Sequence, residues 1–214
     1  MAENIIIEVG VNNGQNAQAI MDEFPCTYYG FEPVPSCVER VKKMFAGREN
    51  THFIQQAVHS QDGVQEFYLS KNSSQPYSAS SLFDFRSDLR QKWNRHDFTM
   101  EQEKLLVTCT RLDTFLDTIE FDEIAFLEAD AQGNDIEVFK SLGKYLPRLR
   151  EGQMELALGI ELYDGPDNTL VTAAQWLKRN GFEIIGLKTN SNAAECDIRF
   201  KRRDLIDRPV ILGR

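Results

Sequence analysis

The sequence predicts an open α/β sheet with helices packed on it, and three observations carry that expectation. An unbroken apolar run, Ile5-Ile6-Ile7, passes through Glu8 and Val9 into a glycine-punctuated turn between Gly10 and Gly14. A second short apolar stretch, residues 28–31, ends on another acid, Glu32. Strand-like and helix-like segments then alternate at short spacing along most of the chain, the pattern of strand–helix–strand units.

Residues 5–9 show no polar alternation and are rich in isoleucine, so this first strand should be covered on both faces. Residues 13–21 suit the first helix, and residues 28–31 a second strand that Pro33 and Pro35 break. Ser36 is the expected N-cap of the next helix, whose apolar face is Val38, Val41, Met44 and Phe45, with Gly47 as its stop. Residues 52–59 read as a third strand. Gln61-Asp62-Gly63 then forms a hairpin-type turn, and residues 64–69 return from it.

The following stretch, 70–103, is polar and carries Ser73, Ser74, Ser78, Ser80 and Ser81, with helical character over 82–93. A connection this long suggests a lid or substrate loop. Residues 105–110 form a strand and 111–116 lead into a short helix. Residues 124–129 form a buried strand ending at Asp130. A helix follows Gly133 to about Leu142, with Ile136, Phe139 and Leu142 on one face. Residues 154–162 suggest a strand with Glu161 at its end, and Asn168 a cap for a helix through Leu177 that Asn180-Gly181 stops. Residues 182–188 and 196–201 read as two antiparallel closing strands. With no repeat and no linker, 214 residues fit one domain, 1–214.

Composition narrows the function. The net charge of −9 argues against nucleic acid as a partner, and Lys201-Arg202-Arg203 runs straight into Asp204. Cys26, Cys37, Cys109 and Cys196 are scattered, without a C-x-x-C pair or a zinc-type spacing, as expected of reduced thiols in a cytoplasmic protein. No apolar run approaches a membrane span, and no leader precedes the first strand, so no membrane association is expected.

The glycine turn selects among cofactors. Its spacing is G-x-x-x-G, with no middle glycine at Val11 or Asn12 and no Lys-Ser or Lys-Thr following. A dinucleotide turn and a triphosphate loop both need those residues. A looser turn with acids nearby suits a cofactor that has no phosphates and a cationic centre. S-adenosyl-L-methionine fits, with Glu32 accepting from its ribose hydroxyls. A plain strand-turn-helix whose glycines serve only the backbone is the competing reading.

The ordered set Phe31-Glu32-Pro33, Ala57-Val58, Asp62-Gly63, Ser80-Ser81-Leu82, Thr110-Arg111-Leu112-Asp113 and Asp130-Ala131-Gln132-Gly133 resembles the FkbM-type S-adenosylmethionine-dependent methyltransferases over nearly the whole chain. The resemblance implies a Rossmann-like, seven-stranded, mostly parallel sheet with helices on both faces and an antiparallel strand near the C-terminus. A β-hairpin and long loop are inserted over about 64–110. It also implies O-methylation of a hydroxyl on a sugar, polyketide or other natural product. Cofactor-binding candidates are Glu8, Gly10, Asn12, Asn13, Gly14, Glu32, Pro33, Ala57, Val58, Ser80, Ser81 and Asp130.

Two departures stand out. Glu128 occupies a position where the family commonly has lysine, and almost nothing precedes Ile5, which leaves either an open site or one covered by a partner subunit, as in a homodimer. Asp130 is the first candidate for base or substrate orienter, with an N-cap as its structural alternative. Glu161 is the second catalytic candidate, and His59 and His96 are further possible bases. Asp130, Glu161 and Asp164 would admit Mg2+ through oxygen ligands, but their spacing does not require a metal. Trp93, Phe83 and Phe85 suit an apolar substrate wall or plain core. A fold retained as a non-catalytic binding module and a dinucleotide oxidoreductase are the alternative functions.

Overall fold

A computed structural model of the chain describes residues 3–71, 77–89, 100–189 and 194–206. Trp93, His96, Ser73 and Ser74, with residues 90–93 of the helical stretch expected over 82–93, lie outside the described residues. The described part, residues 82–89, forms no helix: Phe85 makes an antiparallel bridge to Tyr163 and a turn follows at 87–89.

The main sheet has seven strands. In chain order these are β1 (Ile5–Val9), β2 (Thr27–Phe31), β3 (Thr51–Ile54), β7 (Ile124–Ala129), β8 (Leu149–Ala157), β9 (Phe182–Thr189) and β10 (Glu195–Arg202). Their spatial order is β3-β2-β1-β7-β8-β10-β9, with β10 antiparallel to both neighbours and the other pairings parallel. The isoleucine-rich β1 is central, and all five of its residues are buried.

Its alternate side chains feed two cores. Ile6 packs with Tyr28, Phe126 and the Ala17, Ile20 and Met21 face of α1 (Ala17–Glu23). Ile5, Ile7 and Val9 join a larger core on the opposite face. That core includes α3 (Leu112–Leu116), α4 (Asp135–Lys140) and α5 (Leu170–Arg179). Helices therefore cover both faces, as expected.

A second, three-stranded sheet holds β4 (Ala57–Val58), β5 (Gly63–Ser70) and β6 (Gln102–Thr110) in the order β4-β6-β5. Here the structure departs from the sequence reading. The single strand expected over 52–59 is two, because the chain turns between Ile54 and Gln56 and β4 pairs in parallel with β6 instead. The Asp62-Gly63 turn closes no hairpin with β4. Asp62 accepts from Arg111 N at 2.7 Å and from Thr114 Oγ1 at 2.8 Å, while β5 pairs antiparallel with β6 across the long insertion.

Other boundaries move for local reasons. The first helix begins at Ala17 rather than residue 13, because Gly14 N closes onto Val11 O at 2.8 Å and Asn12 sits at φ 48°, which commits the segment to a turn. Helix α2 (Pro35–Met44) starts on Pro35, not after Ser36, since a residue without N–H loses nothing at a helix's first position. Met44, placed on its apolar face by the sequence, is 57% exposed. Strand β8 begins at Leu149, five residues early, and ends at Ala157, so Glu161 is not at a strand end. Thr169 rather than Asn168 caps α5, its side chain accepting from Thr172 N. No helix among the described residues is long and apolar enough to cross a membrane.

Candidate functional site

Register brings three strand ends level. Val9 lies opposite Phe31 on one side and Ala129 on the other, so Gly10, Glu32 and Asp130 follow at the same edge of the sheet. Backbone bonds stitch this edge together: Asp130 N to Val9 O at 2.9 Å, Gly10 N to Phe31 O at 3.0 Å and Glu32 N to Ile54 O at 3.0 Å. Gly10 has φ +90°, and a Cβ there would stand 2.0 Å from the Asp130 carbonyl oxygen, so this approach excludes any side chain.

A cleft opens beyond these ends. Phe31, Val34, Ala57, Val58, Phe67 and Leu82 give it apolar walls, while Glu32, Gln56, Asp130, Gln132 and Asn134 bring polar groups. A more polar cleft shares Gly10, Asn12, Ser78 and Asp130 with it and adds Glu8, Asn13, Asn16 and Arg40. Crevices at the carboxyl ends of strands, where the order reverses about a central strand, are the usual ligand sites of such sheets.

Glu32 is 5% exposed. Its Oε2 accepts from Asn12 N at 2.7 Å and its Oε1 from Val34 N at 2.8 Å, so it ties the glycine turn to the start of α2. Burial pushes its carboxyl up to about 7 despite those two donors. Besides facing the cleft, this carboxylate therefore holds two backbone N–H groups in place.

Asp130 is not an N-cap. Its Oδ1 accepts from Gln132 Nε2 at 2.6 Å, and burial holds its carboxyl above the ordinary range while the Gln132 bond opposes that rise. The same Gln132 nitrogen reaches Glu155 at 2.9 Å, and Gln132 Oε1 accepts from the Tyr163 hydroxyl at 2.6 Å. The turn is locked from below by Asp135, whose Oδ1 accepts from Ala131 N at 2.9 Å and Oδ2 from Asn168 Nδ2 at 3.0 Å. Burial raises Asp135 to about 8.

Two more acids lie beneath the edge. Glu8 and Glu128 are opposite each other on β1 and β7 and are 2% and 5% exposed. Glu8 accepts from the Tyr28 hydroxyl at 2.5 Å, and burial followed by repulsion from Glu128 raises it well above the usual range. Glu128 accepts from Asn16 Nδ2 at 3.0 Å and is pushed up to about 7 by burial and then by Asp130.

The structure sorts the candidates read from the sequence. Gly10, Asn12, Glu32, Pro33, Ala57, Val58, Ser80 and Asp130 line the main cleft, and Glu8 and Asn13 the polar one. Three others serve packing or lie apart. Gly14 lies against α2, where a Cβ would be 3.1 Å from Val41 Cγ1. Ser81 is fully buried and spends its hydroxyl on Gln132 O at 2.7 Å, pinning the serine loop to the Asp130 turn. Glu161 accepts from Asn168 N at 2.6 Å and lines a smaller cavity with Glu155, Tyr163 and Glu195.

His59 lines neither cleft; its Nδ1 accepts from Gln61 N at 3.3 Å, and burial lowers its pKa. Phe85 packs with Leu89, Met100 and Tyr163, and Phe83 against Gly165 and His59, so Phe67, Tyr77 and Leu82 form the apolar wall instead. Among the described residues no three His, Cys, Asp or Glu side chains are grouped to hold a metal ion. Sequence reasoning missed Gln132 as a bridge and Asn134 altogether. An Asn directly after Gly133 carried a signal only once the turn was known to face a cleft.

Fold and site together define a Rossmann-like methyltransferase class. Solved structures share the architecture at low identity. An rRNA methylase from Streptococcus thermophilus is 13% identical with a TM-score of 0.51, covering 94% of this chain and 87% of that one. Aeropyrum pernix fibrillarin, solved with natively bound S-adenosyl-L-methionine, is 12% identical with a TM-score of 0.52, covering 93% and 66%. No curated protein sequence matches. Residues 8–184 match the methyltransferase FkbM domain, and the chain belongs to that family.

Proposed function

We propose that this protein is an S-adenosylmethionine-dependent O-methyltransferase acting on a hydroxyl of a small molecule or glycan. The observation that carries the reading is the pairing, at one sheet edge, of a buried Glu32 in an apolar-walled cleft with Asp130, which borders both that cleft and its polar neighbour. When bound, the cofactor supplies a methyl group activated by its sulfonium.

The residues present fit such a group. Each Glu32 oxygen takes one backbone N–H and keeps a second lone pair for a ribose hydroxyl. Val34, Ala57 and Val58 offer apolar surface to a purine, and Glu8, Asn12 and Asn13 offer polar groups to an amino acid tail. Asp130 takes the acceptor's hydroxyl proton. Gln132 holds one of its oxygens, and the upward shift from burial makes it a better base near neutral pH than an exposed aspartate.

Titration calorimetry with S-adenosylhomocysteine, followed by methyl transfer from labelled S-adenosylmethionine to a panel of hydroxylated acceptors, tests the proposal. Micromolar binding with transfer to oxygen is expected. Absence of heat and of thermal shift would refute it, and binding without transfer to any acceptor would favour a non-catalytic module.

A further inference from the structure

Among the described residues, two buried side-chain polar atoms have no hydrogen-bond partner, Gln102 Nε2 and Asn134 Oδ1. Gln102 lies outside the main cleft and uses its carbonyl on Phe85 N. Asn134 is 1% exposed and lines that cleft beside Val58, Ala131 and Gln132. Its amide cannot be turned over. Nδ2 donates to the Val58 carbonyl at 2.9 Å, and exchanging the two ends would set oxygen against oxygen. The acceptor end is therefore committed to its place, and nothing in the protein answers it. Unpaired buried acceptors are few in folded chains, and a ligand that brings the missing donor removes the cost.

The cleft says which donor. The carboxylate near the apolar walls, Glu32, stands just past the end of β2 and suits hydroxyls, while a cationic amine would be drawn to the Glu8 and Asp130 side. The cleft that holds both Glu32 and Asn134 is lined on its apolar side by Val34, Ala57, Val58, Phe67 and Leu82, a surface for a flat ring. A neutral acceptor at the edge of such a surface recognises a ring amine. We infer that Asn134 Oδ1 accepts from the exocyclic amine of the cofactor's adenine, and that it makes the site select adenine over purines with a carbonyl at that position. This rests on the cofactor reading above. Hypoxanthine would present a second acceptor to Oδ1, with neither a proton to share nor water to replace it.

The test is calorimetry on the full chain with S-adenosylhomocysteine and S-inosylhomocysteine, for the wild type and for Asn134→Leu, with a thermal melt to confirm folding. The wild type should prefer the adenosine compound by roughly 10- to 100-fold, the range for one buried hydrogen bond set against an acceptor–acceptor contact. Asn134→Leu should weaken only the adenosine compound and bring the ratio close to one. Equal wild-type affinities, or an undiminished preference in the variant, would overturn the inference while leaving the cofactor reading intact. Failure of the wild type to bind either compound would instead defeat the cofactor reading, and this inference with it. If Asn134→Leu does not fold, Asn134→Ala is scored in the same way, and the wild-type ratio alone remains able to refute.

Discussion

Replacing Glu128 with Gln should stabilise the protein at alkaline pH and leave it unchanged in acid. Glu128 faces Glu8 across the β1–β7 pair and is 5% exposed. Its carboxyl rises from 4.5 to about 7, first through burial and then through Asp130 and Asp197, while the Asn16 amide and Arg199 pull it down. That interval corresponds to about 3 kcal/mol between the two protonation states. The sign follows from the direction of the rise. The folded chain holds the proton more tightly than the unfolded one, so the penalty is absent below about pH 4.5, grows up to about pH 7 and is complete above it. Relaxation and water entry reduce the realised value, so a gain of about 1–3 kcal/mol at pH 8.5 is expected for Glu128→Gln. For a chain of this size that raises Tm by roughly 2–10 °C. The amide keeps an acceptor for Asn16 and the shape of the side chain. Urea unfolding of the ligand-free protein at pH 5 and pH 8.5 gives the difference directly. A stability change that is the same at both pH values, or a loss at pH 8.5, would refute the burial argument.

Three further outcomes follow from the site. Glu32→Ala should weaken S-adenosylhomocysteine binding by about 100-fold, the value of two charge-assisted bonds. It should also lower Tm at pH 5.5, because Asn12 and Val34 lose their acceptor; an unchanged melt would contradict the bridging role. Asp130→Asn should leave cofactor affinity within a few-fold and cut turnover by roughly 100-fold or more, as for a group acting in the transition state. Calorimetry beside single-turnover rates separates the two effects, and equal losses in both would remove Asp130 from the reaction. Gly10→Ala should lower Tm by several degrees and abolish binding, since its Cβ would meet the Asp130 carbonyl at 2.0 Å; a folded variant that binds normally would show that this edge can shift.

Much of the frame was legible because it is local. The run Ile5–Val9 and the stretch Ile124–Ala129 are strands whose limits match their apolar residues. Glu32 and Asp130 follow directly from where such runs stop, since side chains just past a strand's carboxyl end face the crevice. The closing pair β9 and β10 was visible for the same reason. Hidden pairings were not. Val58 and Thr110 are neighbours across two strands that the chain separates by the whole insertion, and nothing near Val58 announces a partner so distant.

The roles of single polar groups followed the same division. By itself the sequence determined that acids and glycines would cluster at the ends of buried strands, because hydrophobic period and turn chemistry are written in adjacent residues. It offered Gly14 and Ser81 as equals of Gly10 and Ser80, and Glu161 as the second candidate after Asp130. Only the tertiary structure set Gly14 against Val41, spent the Ser81 hydroxyl on Gln132 and carried Glu161 into a separate cavity. It alone sealed Glu8 and Glu128 side by side and left Asn134 Oδ1 unanswered at the cleft wall. Burial and hydrogen-bond satisfaction depend on every element that closes over a group, and those elements come from distant parts of the chain.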